Sequence, residues 1–464
     1  MVSSRVGGAP RRRAGGTASR RGAAPPGLRS EERATREGGA SKAPRRRAGG
    51  TAAVVGAGIV GLSVAWFLQQ EGFHVTVLDQ LDVAAGASAG NAGWITPAMT
   101  SPLPEPAVLR SALGSLLRPG SPLRIPPRSL PGTWRFLAAF AARSTTRRWL
   151  AGVASFAPIS ALALPSYDVL AAGGVTGAVV EAPIVAAFDR PDQAEPLRHE
   201  LQAIAGSGQL VQVSELTERE VRRERPMISG RARYGLRVDG QRYVQPLEYV
   251  RSLAAAVAGS GAALETGRAV TAVEPRPGGG TRVVADGRAA DFDVCVLASG
   301  AWVSGLARAA GVRMPVVAGR GYSFLVPLTE PLTGPLYLPG LRVACTPAPG
   351  GMRVAGTMEF RPPDAPLDRR RIDAIVASAR DWLPGAGWDA ITGGWVGPRP
   401  VTADGLPVIG RSAIDGVFVA GGHGMWGMTL GPATGRLLAE LIATGRRPEA
   451  LAPFDPLRPA RLWG

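Results

Sequence analysis

The feature that most restricts this chain is a strand–loop–helix–strand unit that starts at Thr51. Thr51-Ala52-Ala53-Val54-Val55 reads as a short buried strand, and Gly56-Ala57-Gly58-Ile59-Val60-Gly61 follows it at once. Ile59, Leu62, Trp66 and Phe67 then recur at helical spacing as far as Gln70, and Gly72 stops the helix. Phe73-His74-Val75-Thr76-Val77-Leu78 reads as a second strand, closing on Asp79-Gln80. The pattern predicts one β-α-β unit. Gly56 allows its tight turn, Gly58 lets backbone approach a pyrophosphate, and Gly61 lets the helix pack closely on the strands. The helix start offers free N–H groups and a positive dipole end. Asp79, 18 residues after Gly61, is placed to accept hydrogen bonds from an adenosine ribose. Together these parts predict a dinucleotide site.

The continuation separates a flavin from a nicotinamide dinucleotide. A nicotinamide-binding domain usually continues as βαβαβ with short connections. Here Asp79 leads into a long stretch of small residues from Ala84 to Pro97, containing Ser88-Ala89-Gly90-Asn91-Ala92-Gly93. Such backbone suits a flat ligand lying against it. Further on, Val294 to Leu297 is an apolar strand that ends in the small turn Ala298-Ser299-Gly300. Val417-Phe418-Val419-Ala420 is another, followed by a glycine-rich loop from Gly421 to Gly427. A helix comes next, with Leu430, Leu437, Leu438, Leu441 and Ile442 along one face.

These blocks carry a family resemblance. From about residue 52 to its C-terminus the chain resembles the FAD-dependent D-amino-acid oxidase (DAO) superfamily, and within it bacterial D-amino-acid dehydrogenases. The supporting motifs are the GAGIVG unit with Asp79, Ser88 to Pro97, and Val296-Leu297-Ala298-Ser299-Gly300-Ala301-Trp302 with Pro315 and Arg320-Gly321-Tyr322-Ser323. Gly397-Pro398-Arg399-Pro400-Val401-Thr402-Ala403-Asp404-Gly405-Leu406-Pro407-Val408-Ile409-Gly410, followed by Gly421-Gly422-His423-Gly424 and Gly427-Met428-Thr429, is the most specific block.

The resemblance implies noncovalent FAD. It assigns cofactor contacts to Gly56, Ala57, Gly58, Ile59, Val60, Gly61, Asp79 and Gln80 at the adenosine end, and to Ser88, Asn91, Ala92, Gly93 and Val270 beyond it. Ser299, Gly300, Gly422, Gly424, Gly427, Met428 and Thr429 complete that set. The last helix is expected to point its positive end at the pyrimidine edge of the flavin.

For chemistry, Arg399 is the strongest candidate. A guanidinium makes two parallel hydrogen bonds to a carboxylate and stays charged when partly desolvated. The resemblance gives this role to the arginine of the G-x-R-P segment. It places Tyr322 facing the active-site cavity, where a phenol would orient substrate, and His423 within hydrogen-bonding range of the flavin or the substrate. No residue stands out as a general base.

Composition excludes several classes. Lys42 is the only lysine, so the body of the chain cannot form a lysine Schiff base. No GxxxxGK[ST] phosphate loop occurs, and the three histidines and two cysteines lack metal-ligand spacing. Cys295 reads as a small buried hydrophobe in an apolar run. The formal charge of +17 is concentrated in residues 1–50, with 13 basic against 3 acidic residues; the remainder carries 40 against 33. That first segment contains almost no large apolar side chains, which predicts a disordered Arg/Gly-rich arm. Its decapeptide Ala9–Ala18 recurs at Ala43–Ala52 and reads as an upstream duplication or misassigned start. The arm has no aromatic residue, so no specific nucleic acid is expected. Thr51–Gln70 resembles a signal anchor, but its glycines and the following strand argue for the nucleotide unit. Ala151–Val180 is broken by Pro158, Pro165 and Asp168, so no transmembrane helix is expected.

The fold class expected is an α/β (α+β composite) one. A Rossmann-like FAD domain is assembled from residues 51–98, 245–312 and 394–464. Residues 180–244 and 313–393 form a substrate domain with a mostly antiparallel sheet, and 99–179 are a helical cover. The leading expectation is oxidative deamination of a D-amino acid to a 2-oxo acid and ammonia. Lysine is absent near the expected flavin, and no cysteine follows Cys345. Against the resembled oxidases, this favours a quinone or other carrier as electron acceptor. A glycine-, sarcosine- or D-hydroxyproline-type amine oxidation is the nearest rival, and an arginine-armed binder with a structural flavin is a third reading. The expected location is cytoplasmic, with Pro97–Leu150 as a surface for peripheral contact with the inner face of a membrane.

Overall fold

The computed structural model describes residues 49–106, 123–124 and 131–459. The predicted arm therefore lies outside the described residues up to residue 48, together with most of both decapeptide copies.

The β-α-β unit forms as its pattern dictates. Strand Thr51–Val55 pairs in parallel with His74–Leu78 on one side and Val294–Leu297 on the other. Ala263–Glu265 and Val417–Gly421 extend the parallel sheet outward, and Val408–Arg411 closes it as an antiparallel edge. Apolar residues fill the central strands because helices cover the sheet. Ala52, Val54, Val294 and Val296 contribute to one core cluster and Ala53, Cys295 and Leu297 to another.

Two helices meet on the first of these clusters. Helix Ile59–Gln70 crosses helix Gly427–Thr444 at a glycine contact. A Cβ at Gly435 would stand 2.6 Å from the Ser63 carbonyl carbon, so only glycine permits this approach. Leu62, Leu68, Leu430 and Leu438 are buried around the crossing. Burying such a side chain contributes about 1.5–3 kcal/mol each before conformational entropy is counted.

The second layer is a nine-stranded, mostly antiparallel sheet. Its order runs Thr392–Thr402, Val316–Pro327, Gly351–Phe360, Val343–Ala348, Leu336–Leu338, Ile184–Phe188, Tyr234–Val238, Val213–Thr217, with Leu123–Arg124 beside Gly351–Phe360. Leu336–Leu338 and Ile184–Phe188 pair in parallel. The boundary expected at residue 394 cuts through the edge strand Thr392–Thr402. That strand is continuous because it pairs along most of its length with Val316–Pro327. The chain leaves this sheet for the parallel one only after Thr402.

The region expected to be a helical cover contains helices Pro131–Arg143, Thr146–Ala161 and Ala163–Ala172. Pro158 does not break its helix. It lies inside Thr146–Ala161, contrary to the reading of that proline as an interruption. The stretch Thr146–Ala172, which contains an 18-residue window of mean hydropathy 1.4, is long and apolar enough to cross a membrane by length and composition. Its inner face is part of the protein core. Phe156, Ile159, Tyr167 and Leu170 are buried in the cluster beneath the parallel sheet, and the Tyr167 hydroxyl donates to the Met428 carbonyl at 2.6 Å.

Candidate active site

A cavity of about 1140 Å³ runs from the carboxyl ends of the parallel strands to the face of the antiparallel sheet. Its position is the crevice where open α/β sheets bind ligands. One end is built from the glycine loop. Gly56 has φ +120°, and a Cβ there would lie 2.5 Å from the Ala298 carbonyl oxygen. Gly58 is the N-cap of the first helix and supplies no side-chain cap. Asp79 ties the loop together: its Oδ2 accepts from Ala57 N–H at 2.7 Å and its Oδ1 from Leu81 N–H at 2.8 Å. Each carboxylate oxygen retains acceptor capacity for a ribose hydroxyl.

Of the residues assigned to the cofactor, Gly56, Gly58, Ile59, Val60, Asp79 and Gln80 line this end. Ser88, Asn91, Ala92, Val270, Ser299 and Gly300 line the middle, and Gly424, Gly427, Met428 and Thr429 line the far wall. Four others stand behind the wall. Ala57 is buried and reaches the site through its N–H on Asp79. Gly61 is a packing glycine, because a Cβ there would meet the Gly56 carbonyl oxygen at 1.9 Å. Gly93 and Gly422 have φ of +84° and +73° and are confined by the Val244 carbonyl and the Thr402 methyl. Their contribution is backbone shape, not contact.

The second end is formed by strand Val417–Gly421, the loop after it and helix Gly427–Thr444. The Trp426 indole N–H donates to the Ser101 carbonyl at 2.7 Å, fixing the loop that precedes the helix. Thr429 Oγ1 accepts from the Thr96 N–H at 3.1 Å. No side chain from its own N-cap residue closes this helix, so its positive end faces the cavity.

His423 lines the cavity and is buried. Its Nε2 and the Thr434 hydroxyl lie 2.9 Å apart. Desolvation pushes its pKa down to about 4, so the ring is neutral at pH 7. Among the described residues Nδ1 has no partner, nor do the buried hydroxyls of Ser299 and Thr357, which also line the cavity. Unpaired buried polar atoms around one crevice fit a polar ligand that completes them. Together with the start of helix Gly427–Thr444 on the cavity wall and the glycine cradle, they fit an FAD molecule along this cavity.

Arg399 projects from the edge strand Thr392–Thr402, opposite Gly319. Its Nη1 donates to the Thr357 carbonyl at 2.8 Å. The guanidinium lies across Gly321, where a Cβ would fall 2.2 Å from Nη2. No carboxylate pairs with it among the described residues. Desolvation lowers its pKa to about 10, which still leaves it protonated at pH 7. It is thus a charged, half-buried donor on the cavity wall, held by a carbonyl and lacking an anion.

Tyr322 does not line the cavity, and the expectation that it does is corrected here. Tyr322 shares its face of the strand with Phe324 and Val326 and is buried with them in the core of the antiparallel sheet, while the Arg399 guanidinium lies across Gly321. The Tyr322 hydroxyl donates to Glu359 Oε2 at 2.7 Å inside the protein. Burial and that carboxylate push the phenol pKa up to about 12. Arg320 and Arg361 stand 4.0 and 3.8 Å from the same carboxylate oxygen.

Sequence reasoning did not single out Tyr337, Arg342, Thr357, Met358 or Trp395, all of which line the cavity. None of these carries a local sequence signal; three stand out only in the folded chain. Arg342 and Thr357 adopt positive φ of 55° and 58°, uncommon for residues with side chains. Trp395 lies over Gly90, where a Cβ would be 2.1 Å from the indole.

The comparisons with known proteins agree with this geometry. The model of the DAO family, described as FAD dependent oxidoreductase, matches residues 51–441. A D-amino acid dehydrogenase of Methylobacterium nodulans is 30% identical over 405 residues, covering 84% of this chain and 94% of that protein. One from Xanthobacter autotrophicus is 29% identical over 406 residues, with 84% and 94% covered. The crystal structure of glycine oxidase from Geobacillus kaustophilus superposes with a TM-score of 0.68 at 22% identity, covering 88% of this chain and 99% of that one. The chain belongs to the DAO family of FAD-dependent oxidoreductases, and FAD is its cofactor.

Proposed function

We propose that this protein oxidises the Cα–N bond of a D-amino acid, giving a 2-oxo acid and ammonia. The observation that carries the reading is Arg399, a charged guanidinium on the cavity wall with no anion of its own. An α-carboxylate satisfies it with two parallel charge-assisted hydrogen bonds. Two relatives aligned over 84% of this chain and 94% of their own length are named D-amino acid dehydrogenases, which supports an amino acid as donor.

Bound FAD supplies the hydride acceptor for such a reaction. The chain's own residues bind and orient. Arg399 anchors the carboxylate, the Thr357 carbonyl fixes Arg399, and Gly321 leaves room for it. Helix Gly427–Thr444 directs its positive end into the cavity, where negative charge accumulates upon reduction. Neutral His423 offers a hydrogen bond without adding charge. The neutral amine would lose a hydride from Cα and a proton from nitrogen to solvent, giving an imine, and water hydrolyses the imine to the 2-oxo acid and ammonia.

Electrons then pass to a quinone or another carrier. No lysine is present in the body of the chain, and neither Cys295 nor Cys345 lines the cavity. Both thiols are buried, and burial pushes their pKa values up to about 12, which supports noncovalent FAD. A cytoplasmic protein touching the inner membrane face peripherally would meet such a carrier.

The test is anaerobic mixing of the FAD-loaded protein with D-alanine, L-alanine, glycine, sarcosine and D-proline while the flavin absorbance near 450 nm is followed. Rapid bleaching by D-alanine and none by L-alanine is expected. Bleaching by sarcosine or glycine alone would replace this reading with amine oxidation.

A further inference from the structure

The substrate end of the cavity holds a second cation. Among the described residues that line the cavity, the charged side chains contributed by the nine-stranded sheet and its turns are Arg399 and Arg342. The other charged lining residues, Asp79, Arg268 and Glu274, lie at the nucleotide end, on the parallel sheet and the small sheet beside it. Arg342 closes the short helical turn Pro339–Leu341, just before strand Val343–Ala348. Its side chain has no hydrogen-bond or ion-pair partner among the described residues. Glu200 acts on it through space; that acid does not line the cavity and accepts from the Ser101 hydroxyl.

The backbone gives a second, independent observation. Arg342 has φ 55°, a left-handed conformation that favours glycine or asparagine. Strain of that kind persists where the surroundings hold it and is concentrated at ligand clamps. Of the four described non-glycine residues with positive φ, Arg342 and Thr357 line this cavity. Thr357 supplies the carbonyl that fixes Arg399.

We propose that Arg342 is a specificity-determining residue that receives a second anionic group, so that the preferred substrates are acidic amino acids with a carboxylate at each end. This rests on the reading of Arg399 as the α-carboxylate anchor. Arg399 and Arg342 belong to strands separated by three sheet intervals, a span of about 14 Å at the usual strand spacing. Both line the cavity, Arg399 half-buried and Arg342 exposed at its edge. The second anion therefore stands several bonds from the first, as in glutamate or 2-aminoadipate. Met99, Leu103, Ala344 and Met358 line the cavity as well, a wall suited to the intervening methylenes.

The experiment has two arms, both on the FAD-loaded full chain. In the first, kcat/KM is compared for D-glutamate, D-2-aminoadipate and the neutral isostere D-glutamine. A preference of at least tenfold for the acids is expected, falling several-fold or more in Arg342→Gly, which accepts the left-handed backbone. In the second, glutarate and butyrate are titrated as amine-free ligands, read by perturbation of flavin absorbance and by thermal shift. Glutarate is expected to bind at least tenfold more tightly than butyrate in the wild type and near-equally in Arg342→Gly. Equal binding of the two acids by the wild type, or a glutarate preference that survives the substitution, overturns the inference. Absence of turnover with every D-amino acid, alongside an Arg342-dependent glutarate preference, overturns the D-amino-acid reading and leaves the anion site standing.

Discussion

Gly321→Ala tests the anchoring of Arg399 without touching the arginine. The added Cβ would stand 2.2 Å from Nη2, 2.3 Å from Cζ and 2.8 Å from Nε. Those atoms are the far end of a flexible side chain, so the strand can keep its register while the guanidinium moves. Moving it breaks the 2.8 Å bond from Nη1 to the Thr357 carbonyl and misaligns the two donors meant for the carboxylate. A hydrogen bond to a charged group is worth about 1.5–3 kcal/mol. Losing one such contact corresponds to roughly a 10- to 150-fold weaker interaction at 1.4 kcal/mol per decade. The assay is dye-coupled turnover of D-alanine with KM and kcat determined separately, and FAD content measured on the same preparation. The expected result is a KM raised within that range, with one FAD per chain retained. A KM within twofold of wild type would show that Arg399 does not position the carboxylate from where it stands.

Gly61→Ala places a Cβ 1.9 Å from the Gly56 carbonyl oxygen, and backbone must shift to accept it; the purified variant should be pale, with less than a tenth of the FAD of the wild type. Gly435→Ala sets a Cβ 2.6 Å from the Ser63 backbone at the crossing of the two central helices, a clash expected to cost about 1–3 kcal/mol and to lower Tm by several degrees. Buried neutral His423, with its pKa held near 4 against 6.5 in the unfolded chain, binds fewer protons folded than unfolded between those values. Its contribution is therefore present above pH 6.5 and lost as pH falls toward 4, by up to about 3 kcal/mol at 1.36 kcal/mol per pKa unit. Denaturant titrations from pH 4 to 7 should show this slope, and His423→Gln should flatten it.

What was legible in the sequence depended on whether local chemistry dictated it. The glycine loop is a local object: Gly56, Gly58 and Gly61 act within one strand, one turn and one helix, so their spacing reports their geometry. The G-x-R-P segment likewise brought out Arg399. Tyr322 went the other way because facing is a register property. A shift of one residue exchanges the cavity face for the core, and only the sheet shows that Gly321 has the cavity side. Arg342 was silent for a different reason. It becomes part of the site because Val343–Ala348 docks beside Gly351–Phe360, and no short-range pattern encodes that pairing. Pro158 misled because a proline inside a helix costs a hydrogen bond that tertiary packing offsets here through Phe156 and Ile159.

The absence of an evident base in the cavity has an electrostatic resolution. An amino acid must be neutral at nitrogen before its Cα hydrogen can leave as hydride. At the substrate end the charged side chains lining the cavity are the guanidiniums of Arg399 and Arg342; the positive start of helix Gly427–Thr444 and uncharged His423 share that wall. Nearby positive charge disfavours an ammonium and lowers its pKa. With the carboxylate on Arg399 as proposed, the positive surroundings favour loss of the ammonium proton, and solvent suffices as its acceptor. It follows that the acidic limb of the pH profile of kcat/KM belongs to the substrate. Across substrates whose free amines differ in basicity, such as D-alanine and β-fluoro-D-alanine, that limb should move with the amine. A limb that stays at one pH for every substrate would instead assign the proton to a group on the protein and sink this account of the missing base.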